Sequence, residues 1–119
     1  MKIFRFDKEV SKRITQFDSN FWMSRITATE EPVHIGCMHI EVGGIVGFHQ
    51  AVTDQLFLVV SGEGWVRGED EERISIKAGE AAFWVDGEWH ESGSENGMTT
   101  IVIESTKLAP STVLQAKQD

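Results

Sequence analysis

GGIVGFHQAVTDQLFLVVSG, residues 43–62, and GEAAFWVDGEWH, residues 79–90, decide the fold of this 119-residue chain. Both are short runs of β-favouring residues opened or closed by glycine, and each delivers one histidine, His49 and His90. Around them apolar and polar side chains alternate with a period of two over long stretches, and helical periodicity is nearly absent, which is the pattern of an antiparallel β protein. The spacing predicts strands over 33–41, 45–51, 55–60, 64–67, 73–76, 81–85 and 98–104. Turns are predicted at 43–44, 61–62, 68–72, 78–79, 86–87 and 92–97, where Gly, Asp, Asn and Ser tolerate the backbone angles of a tight reversal. Several short strands at this regular spacing favour a sandwich or barrel.

Working outward, residues 3–6 and 20–27 also read as strands, while 8–18 fits a loop or a short helical turn. After Glu104 the run Ser-Thr-Lys-Leu-Ala-Pro-Ser-Thr, with few large apolar residues, reads as a loosely packed or frayed tail. The organisation expected is one domain over 1–119, with N-terminal strands in 1–32, a barrel core over about 33–104 and a tail over 105–119. The length and an apolar share of 40% allow one core without covalent staples. Cys37, the lone cysteine, excludes an internal disulfide framework.

No apolar run approaches the roughly 18 residues of a membrane span, and Met1–Asp7 lacks the features of a secretory signal, so a cytoplasmic protein without a membrane partner is expected. The formal charge of −8 repels phosphate backbones and anionic head groups, which argues against nucleic acid as a partner. Part of that charge is local: Glu69, Asp70, Glu71 and Glu72 read as the solvated tip of a hairpin.

The two opening stretches together resemble the paired signature motifs of the cupin superfamily. The first motif is Gly, five residues, His-x-His, three or four residues, Glu, six residues, Gly; the second is Gly, five residues, Pro-x-Gly, two residues, His. Gly43, His49 and Gly62 fall in register with the first, and Gly79, Gly87 and His90 with the second, with 16 residues between Gly62 and Gly79. The resemblance implies an all-β double-stranded β-helix, the cupin or jelly-roll barrel of the RmlC-like type, with extra N-terminal strands. It also implies one pocket inside the barrel, and a homodimer that adds or exchanges N-terminal strands to cover sheet edges.

In metal-binding members the two first-block histidines, the glutamate and the second-block histidine hold a divalent first-row ion. Here the second histidine position is Ala51, the glutamate position is Gln55, and Val85 replaces the proline. A methyl group donates no electron pair and an amide oxygen lacks a carboxylate's charge. His49, Gln55 and His90 are therefore the candidate metal ligands of a weakened site, suited to zinc, nickel or copper and less to iron or manganese. Without metal, the same three residues are candidate polar anchors for a small organic molecule, with Phe57 and Trp84 as candidate walls.

Other residues read more blandly. His34 and His39 lie five apart on one strand, so at most one faces the barrel, and Cys37 reads as a buried structural thiol. The chain has no Tyr, which removes the His-Tyr acid and base pairing of sugar epimerases in the same superfamily. Two functions follow as expectations: a small-molecule-binding cupin, or a metal-dependent oxygenase or isomerase built on two histidines. A sensory role in transcription lacks a helix-turn-helix to carry it.

Overall fold

The computed structural model describes residues 1–118 and is built almost wholly from antiparallel strands. In chain order these are β1 (Lys2–Arg5), β2 (Lys12–Ile14), β3 (Phe21–Met23), β4 (His34–Ile40), β5 (Ile45–Gln50), β6 (Asp54–Arg67), β7 (Ile74–Lys77), β8 (Glu80–Trp84), β9 (Trp89–Gly93), β10 (Met98–Ser105) and β11 (Gln115–Ala116). Short 3-10 turns lie at Lys8–Val10, Gln16–Asp18 and Pro110–Thr112. One sheet path runs β11-β1-β8-β6-β10-β4. A second layer forms where β6 pairs with β7 and β9, and β9 with β5. The all-β jelly roll expected from the sequence is the fold observed.

The strand β6 joins the two layers. Its first half pairs β8 and β10 and its second half pairs β7 and β9. The sequence predicts two strands here, divided by a reversal at Ser61-Gly62, but the chain does not reverse. Instead the β6–β10 register slips between Thr99 and Thr100, opposite Ser61 and Val59, so that Val60 is left over as a bulge and the strand bends from one layer into the other. Gly62 sits in the left-handed region at φ +80°, and a Cβ there would collide with the Gly97 carbonyl oxygen and the Met98 Cα. Gly79, at φ +91°, makes a true turn between β7 and β8, against which the Asp7 side chain is packed.

Burial explains why some stretches read as continuous apolar runs rather than alternations. In β6, Phe57 and Val59 face the barrel interior, while Leu56 and Leu58 face outward. In β8, Ala82 and Trp84 point in, and Ala81 and Phe83 point out. Both faces are buried because the terminal segments roof the outer one: Phe4, Leu108 and Leu114 pack onto it. Each such side chain withdrawn from water stabilises the fold by about 1.5–3 kcal/mol before entropy is subtracted.

That roof corrects one expectation. The tail is not frayed over its described part: Leu108, Pro110 and Leu114 are buried and β11 pairs with β1; residue 119 lies outside the described residues. The first N-terminal strand, β1, lies between β8 and β11 of its own chain. Residues 8–18 contain a short strand, β2, as well as turns; among the described residues β2 pairs only with β3, which is shorter than the 20–27 expected. The turn expected over 92–97 begins later, since β9 continues to Gly93.

Candidate functional site

The site is assembled by β5 and β9. These strands pair antiparallel with His49 directly opposite His90, after a register irregularity between Val46 and His49 that re-aims the first histidine. The ladder is extended by Ala51, whose N–H donates to the Glu88 carbonyl at 2.8 Å, and by Gly87, whose N–H donates to the Ala51 carbonyl at 2.9 Å. On the opposite face of the same strands Phe48 stacks on Trp89, with centroids 5.3 Å apart. The Arg67 guanidinium lies 4.2 Å over Phe48 and is bonded to Glu91 at 2.8 Å. This outer clamp ties β5, β6 and β9 together behind the histidines.

The two imidazole centroids are 4.4 Å apart. His90 is buried, at 2% exposure, and lies nearly parallel on Trp84, 4.3 Å away. His49 is exposed at the rim. Both Nδ1 atoms face backbone carbonyls two residues earlier in the chain, that of Gly47 at 2.6 Å from His49 and that of Glu88 at 3.4 Å from His90. A carbonyl can only accept, so in the neutral rings Nδ1 carries the hydrogen and Nε2 presents its lone pair. The Nε2 of His90 is buried and has no hydrogen-bond partner among the described residues. Burial holds the His90 imidazole below the ordinary histidine range, with the adjacent His49 acting in the same sense and the Glu88 carbonyl and carboxylate opposing it.

These rings open onto a cavity of about 160 Å³. Its apolar wall is made by Met38, Val46, Val52, Phe57 and Val102, and its polar groups include His49, His90, Gln55 and Glu104. The structure thus brings His49, Gln55, His90 and Phe57 to one cavity. Trp84 is not in the lining: it is fully buried behind His90, with its edge against Phe57 at 5.9 Å, and supports the imidazole rather than walling the cavity. Ala51, at the family's second histidine position, lines the cavity with its methyl group.

Glu104 is the residue that motif reading missed. It lies directly opposite Gln55 across the β6–β10 ladder, so a carboxylate arrives beside the amide that occupies the family's glutamate position. The period-two register Met98, Thr100, Val102, Glu104, whose first three members are buried, was the signal that could have found it. His34 and His39 are both exposed on β4, away from the pair. Cys37 is also exposed rather than a buried thiol, with its sulfur 3.8 Å from His39 Nε2.

The donor set does not fit a tightly held divalent ion. Zinc centres use three or four protein ligands, and among the described residues no three His, Cys, Asp or Glu side chains gather to hold one ion. Two imidazoles and an amide remain of the set the sequence motifs imply.

No family model and no curated protein sequence matches the chain. Solved structures do. A cupin superfamily protein from Desulfitobacterium hafniense DCB-2 is 16% identical at a TM-score of 0.59, over 67% of this chain and 72% of its own. An RmlC-like cupin from Shewanella frigidimarina NCIMB 400 is 20% identical at 0.59, over 66% and 70%. A cupin-2 domain protein from the same organism is 20% identical at 0.56, over 73% and 83%. At these identities the likeness is one of fold.

Proposed function

Because this chain has the cupin fold, we propose that it is a small-molecule-binding protein whose ligand sits in the barrel cavity between His49, His90 and Gln55. The observation that carries this reading is the buried, unpartnered Nε2 of His90 at a cavity of about 160 Å³. A buried acceptor left without a donor costs on the order of 1–3 kcal/mol, which a donor group on a ligand recovers. The apolar wall then holds the carbon skeleton while a few polar groups set its orientation. That cavity has the volume of about five waters at ~30 Å³ each, so the ligand is compact.

The test is mass spectrometry of the supernatant after denaturing purified protein, followed by thermal melts with any compound found. The expected result is a bound organic molecule that raises the melting temperature equally with and without chelator, since any native-state ligand stabilises by mass action. A stabilisation lost with chelator would refute the metal-free reading.

The second reading is a metal-dependent oxygenase or isomerase, favoured by the two Nε2 lone pairs on adjacent strands. It requires stoichiometric zinc, nickel, copper, iron or manganese in elemental analysis, with both metal and turnover lost in His49→Ala.

A further inference from the structure

Resting on the reading of this cavity as a binding site, we infer that its ligand class is a compact organic cation that also donates hydrogen bonds, such as a short amino alcohol, and that Glu104 selects it. Among the described residues no Lys or Arg lines the cavity, while Glu104 does. Among the described residues Glu104 makes no ion pair and no side-chain hydrogen bond, so its charge is available to a ligand. The two imidazoles present lone pairs, and the carboxylate only accepts. Three acceptors on one small cavity call for a ligand rich in donors. A carboxylate or phosphate would bring its charge beside Glu104 with no cation in the lining to offset it, inside a chain already at −8. Gln55, opposite Glu104 on the ladder, has both donor and acceptor and serves either a hydroxyl or an amine.

The test is an NMR titration at pH 8, following the His49 and His90 ring signals, with three probes that share a three-carbon skeleton and a 2-hydroxyl: 1-amino-2-propanol, propane-1,2-diol and lactate. The expected order of affinity is amine, diol, lactate, with about tenfold or more between the first and last. Glu104→Gln is expected to bring amine and diol within about threefold of each other. Lactate binding as tightly as the amine, or an amine preference that survives Glu104→Gln, overturns the inference and leaves the cavity reading standing. Failure of all three probes to move either histidine signal overturns both. The wild-type comparison decides the charge question by itself should the variant not fold.

Discussion

His49 and His90 face each other across the β5–β9 ladder with rings 4.4 Å apart, yet one is exposed at the rim and the other is 2% exposed. That asymmetry assigns them different physical duties. The buried ring is part of the core, stacked on Trp84, and the exposed ring is free to meet whatever enters.

The first consequence is a split between stability and binding. His90→Ala removes a buried ring from Trp84 and is expected to destabilise the fold by about 1–3 kcal/mol. His49→Ala, on an exposed residue, is expected to stay within about 0.5 kcal/mol. Both should weaken ligand binding. Urea denaturation of the two variants checks this, and equal stability losses would contradict the assignment.

The second concerns pH. The pKa of His90 is lowered in the folded state from an ordinary 6.5. Between that lowered value and 6.5 the unfolded chain holds more protons than the native one, so stability rises with pH in that window. The contribution is full above 6.5, is lost as the pH falls toward the native value, and is flat below it. Urea midpoints from pH 8 to pH 5 should decline in the wild type and decline less in His90→Gln. Parallel curves would remove His90 as the cause.

The third separates two glycines of similar sequence setting. Gly62→Ala forces a side chain into the left-handed region and against the Gly97 carbonyl, and is expected to cost about 1–3 kcal/mol or more. At Gly47 an added Cβ meets no atom within 4 Å, so Gly47→Ala is expected to change stability by less than about 1 kcal/mol. Thermal melts of both variants test whether the bend in β6 is where the strain lies.

The fourth returns lost ligands. Ala51 and Gln55 both line the cavity beside the histidine pair. The double variant Ala51→His, Gln55→Glu is expected to bind nickel or zinc at one equivalent in elemental analysis, where the wild type holds much less. Equal metal content in the two proteins would show that the two missing donors are not what limits metal binding.

Much of this was legible in the chain because it is locally encoded. The period of two marks strands wherever they end up, and the motif glycines 43, 62, 79 and 87 all sit at positive φ, a demand that one residue's own sterics impose. Two in-register glycine and histidine blocks therefore pointed to the jelly roll and to His49 and His90 without knowledge of any contact. The Ser61-Gly62 pair shows the limit: the need for glycine was readable, but whether it served a reversal or a bulge was set by how β10 pairs alongside.

What only the tertiary structure decided is everything that depends on partners far away in sequence. Glu104 comes beside Gln55 through a ladder between strands some fifty residues apart in number: the alternation of β10 could place Glu104 on the inward face, but only the pairing sets it opposite Gln55. The tail is held because β1, more than a hundred residues earlier, offers it an edge and a hydrophobic face. Cys37 is exposed because it shares with Ile35 and His39 the outward face of β4, while Ile40 on the alternate face is buried in the core. Backbone angles and side-chain alternation are properties of a few consecutive residues, whereas burial and proximity belong to the closed sheet, which exists only once distant strands have paired.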